Sequence, residues 1–526
     1  MRRVKRRWAA GASAAALVML VPACTTGDSG SSGGGGGGNA SDGGETVVRT
    51  VFTSDPKSFD PAKGDNLNDY LSARVLYDTL VRRDDGGKLI PGLAESWTAS
   101  PTATSLELKI RQGVVCSDGT PLTAADVAAS LNYFAAPETK APAAKQVFGT
   151  GKMTATGDNA TSTVRIELDH SWADMLFGLA MPQTGIVCAA GIKDPAAMAA
   201  GKAPGTGPFT LKSSQRGATY TFARRTDYTW GPVFAKMPEG KPPTTLTASV
   251  VGNESTQANQ LETGALDHVA LIGPDMDRFG SDWSSNTLSS SNQFVVFNER
   301  PGHPGADQQV RQAIAAMIDR TAYNNASTRG KGEMLTSISD KTSPCVLKQE
   351  YAGAGMDKAA AKQILSGKKI RIIGLNVVSG GAGTAYLQAV LKEAGADVEL
   401  RNVDLATWAT EFIGNTGQWD LGVMVNINLS ATLTTPGSFM FGEDPSKGRN
   451  IGGTQNPDYA KNFSEALATT DMAQHCAKWE AAQNALIQRF DTVPLSTVPQ
   501  KNIYGKRVSA VAPGGYSDLA LLWIKG

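Results

Sequence analysis

Residue types that commonly do chemistry are thinly spread along this chain. Its four histidines, His170, His268, His303 and His475, lie far apart, and none sits in an HExxH segment that would hold zinc beside a general base. No GxSxG turn occurs outside the glycine-rich stretch near the N-terminus, so no serine nucleophile is set on a strand-to-helix elbow. Asp60, Asp118 and Asp420 are lone carboxylates in turns or at strand starts, where such side chains usually hydrogen-bond nearby backbone. Nothing marks two carboxylates as a glycosidase pair. Gly380-Gly381-Ala382-Gly383 lacks the Lys-Ser/Thr ending of a phosphate loop and does not fit GxGxxG, so it reads as a tight strand-to-helix turn. The expectation is a protein with no catalytic residue, no metal site and no cofactor.

The cysteines carry different chemistry. Cys116, Cys188, Cys345 and Cys476 form no CxxC pair and have no histidine at zinc-ligand spacing. In an exported chain an even number of them points to disulfides, for which three pairings are open, with buried free thiols as the alternative.

These residues must be positioned by a mixed α/β fold. Thr46 to Thr53 is β-branched and apolar and reads as a strand. Tyr70 to Leu80 puts Leu71, Val75, Leu76, Thr79 and Leu80 on one helical face. Leu106 to Ile110 alternates like a strand, and Thr123 with Asp126 three residues on resembles a capping box at a helix start. Ile370 to Val378, the helix Thr384 to Ala394 and Asp397 to Leu400 form a βαβ unit. Met472, Cys476, Trp479, Leu486 and Phe490 make a helical stripe expected to face the core. At 526 residues and 41% hydrophobic, the chain has material for two or three lobes. Its 50 basic and 49 acidic residues leave a net charge of +1, which argues against a nucleic-acid partner.

The N-terminus breaks that balance. Arg2, Arg3, Lys5, Arg6 and Arg7 precede an apolar run from Trp8 to Val21. The run is too short for a bilayer core of about 30 Å, which takes about 20 residues. A basic head, a short apolar middle and small residues before a break form an export signal, here residues 1–23. Val21-Pro22-Ala23-Cys24 resembles a bacterial lipobox, with Cys24 acylated as the new N-terminus; Arg6-Arg7 leaves twin-arginine export open beside the general route. Gly27 to Gly44 is nearly all Gly, Ser, Asn and Asp, so residues 24–44 read as a lipidated tether with a reach of roughly 20–25 Å.

Many segments in one order then carry a resemblance. They include PKSFDP (Pro56–Pro61), LYDTLVRRDDGGKLIPGLAESW (Leu76–Trp97) and LKIRQGVVCSDGTPLTAADVAASL (Leu108–Leu131). GTGPFTL (Gly205–Leu211), RTDYTWGP (Arg225–Pro232), TGALDHVAL (Thr263–Leu271), VVFNE (Val295–Glu299), VRQAIAAMIDR (Val310–Arg320) and KNIYGKRV (Lys501–Val508) follow. Together they make nearly all of the mature chain similar to family 5 of the bacterial extracellular solute-binding proteins, the oligopeptide, dipeptide and nickel-binding group. The surroundings of Cys116 and Cys188 look like an actinobacterial lipoprotein branch in which these two cysteines occur together.

The resemblance implies a two-lobed binding-protein fold of type II with an inserted subdomain. One lobe takes residues 45–298 and 500–526, with the insertion at about 81–204, and the other takes residues 299–499. Cys116–Cys188 and Cys345–Cys476 are the favoured disulfides, because each pair then lies inside one lobe. The implied function is that of a monomeric substrate-binding lipoprotein of an ABC importer. It would capture a peptide or other small polar solute between the lobes, close by hinge motion and deliver the solute to membrane permease subunits. An exported hydrolase of peptide or cell-wall material, and a sensing lipoprotein on the same fold, remain the rival readings.

By position in the family, the ligand residues expected are Asp55, Lys57 and Ser58 after the first strand, and the strand end Ala270, Leu271 and Ile272. Trp408 and the run Val425, Asn426, Ile427, Asn428 and Leu429 complete the set. Peptide-binding members put an aspartate about where Leu429 stands, to meet the peptide ammonium. Its absence here suits neutral polar ligands, unless another acid such as Asp55 takes that role.

Overall fold

The computed structural model describes residues 45–84, 86–513 and 516–526. The export signal, Cys24 and the tether lie outside the described residues.

The body is mixed α/β. A four-stranded sheet takes Val47–Phe52, parallel to Thr245–Val250, then Thr219–Arg224 and Phe209–Gln215, both antiparallel. The chain between the first two of these strands builds a second, antiparallel sheet in the order Ala94–Ala99, Ser105–Ile110, Thr163–Leu168, Met153–Asp158. In Ser105–Ile110 the alternation expected from sequence turns Leu106, Leu108 and Ile110 inward. The helix Ala124–Ala135 covers that sheet and begins with the expected capping box. Asp126 N–H donates to Thr123 Oγ1 at 3.2 Å, and Thr123 N–H donates to Asp126 Oδ2 at 3.0 Å. Thr123→Ala is expected to cost about 1 kcal/mol, read as a lower thermal midpoint, because one orphan amide then loses its acceptor.

The third sheet has six strands, in the order His268–Leu271, Thr492–Tyr504, Ser284–Phe297, Leu421–Asn426, Lys369–Leu375, Asp397–Val403. Two of them are long, Ser284–Phe297 with 14 residues and Thr492–Tyr504 with 13, and they pair antiparallel from Ser284↔Tyr504 to Val296↔Thr492. At one end they meet His268–Leu271, and at the other Leu421–Asn426. The register shifts between Ser289 and Ser291 and again between Asn292 and Phe294, so the paired strands are irregular where they pass from one group of elements to the other. Beyond that point Phe294 and Val296 enter one core and Val295 and Phe297 another, which is why this stretch is a continuous apolar run.

The βαβ unit is Lys369–Leu375, Ala382–Glu393 and Asp397–Val403, with parallel pairing. Its glycine turn places Gly380 and Gly381 at φ 64° and 82°. A Cβ on Gly381 would lie 2.2 Å from Asn402 Nδ2. The glycines therefore let the turn close onto Asn402, which accepts from Thr384 Oγ1 at 2.6 Å.

Two elements differ from expectation. The first helix spans Leu67–Leu76, because Asn66 caps it by accepting from the amides of Asn68 and Asp69, and Tyr77 already has an extended backbone. The late helix Met472–Gln488 buries His475, Trp479, Ala482, Gln483 and Leu486, whereas Met472 is exposed and Phe490 lies past its end. A polar residue, His475, occupies the buried face because its Nδ1 meets the Ala466 carbonyl at 2.7 Å. Cys116–Cys188 and Cys345–Cys476 are the disulfide pairs, with Cα separations of 6.3 and 4.7 Å. Among the described residues no helix is long and apolar enough to cross a membrane.

Candidate functional site

A partly open cavity of about 110 Å³ lies where the irregular part of the long strands meets the rest of the fold. The helix Leu67–Leu76 contributes Tyr70, Leu71 and Arg74, and the strand Val81–Arg83 contributes Arg82 and Arg83. His268, Ala270, Leu288 and Ser290 come from the six-stranded sheet. Ile427 and Leu429 arrive on the loop after Leu421–Asn426, and Tyr516 and Asp518 from near the C-terminus.

Three arginines dominate its electrostatics. Arg82 pairs with Asp518 and stands 4.0 Å from Asp78. Asp78 accepts from Tyr228 Oη at 3.1 Å and Trp230 Nε1 at 3.2 Å, and burial, outweighing Arg82, pushes its carboxyl up to about 6. Arg74 donates to Thr79 Oγ1 at 3.0 Å and to the Ala180 carbonyl, and burial pulls it down to about 9. Arg83 is buried, donates from Nη1 to the Leu429 carbonyl at 3.3 Å, and is lowered in basicity by that burial. Its Nε is buried without a hydrogen-bond partner among the described residues. Tyr516 Oη donates to the Asn428 carbonyl at 2.7 Å, so Arg83 and Tyr516 together grip two successive carbonyls of the 427–429 loop. Burial pulls the His268 imidazole down to about 4, favouring its neutral form; its Nδ1 lies 2.9 Å from Thr50 Oγ1.

Of the residues expected from sequence, Ala270, Ile427 and Leu429 line this cavity. Leu271, one step along the strand, points into a separate core, and the Ile272 amide is taken by Glu254 Oε1 at 3.0 Å. Asp55 turns away to accept from the Gly217 amide at 2.8 Å and Tyr220 Oη at 2.7 Å. Lys57 pairs with Asp65 at 2.8 Å, and Ser58 Oγ accepts from the Asp60 amide at 3.0 Å. Trp408 is buried against Phe412, ring centroids 5.3 Å apart. Val425 and Asn426 belong to the strand, Asn426 opposite Asn292. Asn428 is a buried hub that donates to Ser339, Ser343 and the Thr432 carbonyl at 2.9–3.2 Å, holding the loop in shape. Sequence reasoning missed Arg74, Arg82, Arg83, Tyr516 and Asp518. The available signal was two consecutive arginines directly after the apolar run Thr79-Leu80-Val81.

Residues 88–442 match the family model described as bacterial extracellular solute-binding proteins, family 5 Middle. The chain belongs to this family. It is 37% identical to a substrate-binding protein from Microbacterium hydrocarbonoxydans solved in complex with 4-hydroxybenzoate hydrazide, over 91% of this chain and 100% of that one, with a TM-score of 0.80. It is 23% identical over 492 residues to the periplasmic murein peptide-binding protein MppA of Escherichia coli, covering 86% of this chain and 87% of that one. A probable di/tripeptide-binding protein of Pseudomonas aeruginosa is 25% identical over 518 residues, 89% of this chain and 94% of that one. These relatives are binding proteins and not enzymes. The fold is accordingly the two-lobed one of family 5 binding proteins. Family 5 proteins serve ABC importers of peptides and related solutes and work outside the cytoplasm.

Proposed function

We propose that this family 5 protein is the lipid-anchored receptor of an ABC importer, holding one small solute in the arginine-lined cavity and handing it to membrane permease subunits. Residues 1–23 direct export, Cys24 carries the lipid and residues 24–44 form the tether. The lobes are residues 45–298 with 500–526, and residues 299–499, with the insertion at about 81–204, and the protein works as a monomer. The observation that carries this reading is the loop 427–429 from one lobe, gripped through its carbonyls by Arg83 and Tyr516 of the other across the cavity. Those bonds can form only with the lobes together, so they belong to the closed state that a permease would recognise. Ala270, Ile427 and Leu429 would touch the solute. The cavity, at about 110 Å³, is below the roughly 150 Å³ that holds benzene, which favours a ligand of about one ring over a long peptide. The Microbacterium relative was solved with a ligand of one ring, 4-hydroxybenzoate hydrazide.

The test is native mass spectrometry of the full chain released from membranes in mild detergent. One small molecule per chain, lost on denaturation, and release of the protein from the membrane fraction by Cys24→Ser are expected. A chain that carries and captures nothing from a broad solute mixture would overturn the binding reading, and unchanged membrane retention of Cys24→Ser would overturn the anchor.

A further inference from the structure

We infer that the solute is a small carboxylate with an apolar, ring-sized body, its anionic end seated against the Arg83 guanidinium. The inference rests on the cavity being the solute site. Its starting point is a charge imbalance. Arg82 is matched by Asp518 and faces Asp78. Arg74 and Arg83 line the same cavity, and neither has a carboxylate within ion-pair distance among the described residues. Arg74 leans on a hydroxyl and a carbonyl, and Arg83 on one carbonyl. Among the described residues, the carboxylates that act on Arg83, Asp340 and Asp84, are engaged in their own turns: Asp340 accepts from Thr342, and Asp84 from the amides of Gly86 and Lys88.

A guanidinium cannot shed its proton under ordinary conditions, so three positive charges face the two carboxylates Asp78 and Asp518, and one is in excess. Burying a charge without a counter-ion is costly, and the remaining donor capacity is visible: Arg83 is more than nine-tenths buried and its Nε has no partner among the described residues. A carboxylate fits the planar fork of that group and would satisfy the free donor and the charge together. The rest of the lining selects the body of the ligand. Leu67, Leu71, Leu288, Ile427 and Leu429 offer apolar surface, which disfavours a fully hydrated oxyanion such as phosphate. An ammonium ligand would add a positive charge to a cavity that already holds an excess, and the one carboxylate in the lining among the described residues, Asp518, is engaged by Arg82 and the Ala520 amide.

Benzoate and benzamide have nearly the same shape and differ in charge, so they are the probes. Calorimetric titration of the full chain should show benzoate binding at least about tenfold tighter than benzamide, the size of one hydrogen bond to a charged group. Arg83→Met should abolish the preference, and Arg83→Lys should restore part of it. The comparison on the unaltered chain decides the matter even where Arg83→Met fails to fold. Equal or tighter binding of benzamide would overturn the anionic assignment, and binding of neither would overturn the assignment of ligand class. In both of those cases a different molecule found bound by native mass spectrometry would leave the solute-receptor reading standing, and an empty chain would remove both.

Discussion

Arg311→Ala should destabilise the protein by about 3–5 kcal/mol, as expected when one partner of a buried ion network is removed and its counter-charges stay behind. Arg311 is fully buried in the helix Gln308–Met317. It donates to Asp491 Oδ1 at 2.8 Å and to the carbonyls of Gly305, Arg489 and Phe490 at 2.8–3.1 Å, and its Nη1 lies 3.4 Å from Glu299 Oε2. Asp491 immediately precedes the strand Thr492–Tyr504, and Glu299 follows the end of Ser284–Phe297 by two residues. One guanidinium therefore fastens together the same ends of both long paired strands. Denaturant unfolding of the variant tests this, and a loss below about 1 kcal/mol, the scale of an exposed pair, would mean the network does not fasten them.

The same network has a pH signature. Burial first, and then the like charge of Asp491, push the Glu299 carboxyl up to about 7, against the pull of Arg311. The folded chain thus holds a proton that the unfolded chain releases near the ordinary value of 4.5. The stability this contributes is complete below 4.5 and is lost as pH rises through about 7. Glu299→Gln should flatten the decline of the thermal midpoint over that interval. An unchanged slope would assign the decline to other groups.

Loss of the Cys345–Cys476 disulfide should be of comparable size. The cysteines are 131 residues apart, for which the chain-entropy argument gives about 5 kcal/mol, toward the upper end of what disulfide removal costs. Residues 329–357 contain no helix or strand, so the disulfide acts beside scattered hydrogen bonds such as the Leu335 amide to the Leu495 carbonyl. Gln483 helps, donating to the Cys345 carbonyl at 2.9 Å and accepting from the Leu347 amide at 3.3 Å. Cys345→Ala with Cys476→Ala should lower the thermal midpoint strongly. It should also weaken solute binding, because Ser339 and Ser343 of this segment accept the Asn428 bonds that shape the 427–429 loop. A double variant with an unchanged midpoint would show that the segment is held by its hydrogen bonds alone.

Family, fold class and most elements were legible in the sequence because their causes are local. Alternation in Ser105–Ile110, the reciprocal cap of Thr123 and Asp126 and the glycines before Ala382 depend on neighbours within a few residues. The ordered motifs from Pro56 to Val508 were enough to identify the family. Which side chains face the cavity was not legible, because that depends on what covers them. Asp55, Lys57 and Ser58 stand after the first strand as expected, yet each satisfies itself against nearby protein groups. All three residues of Val81–Arg83 are buried, a pattern no strand period predicts for two arginines. Arg82 meets Asp518 from 436 residues away, and Arg83 meets Leu429 from 346 residues away. By itself the sequence determined the segments and the family they belong to. Only the tertiary structure decided the charge of the cavity, because that charge is a balance among residues that folding alone brings together.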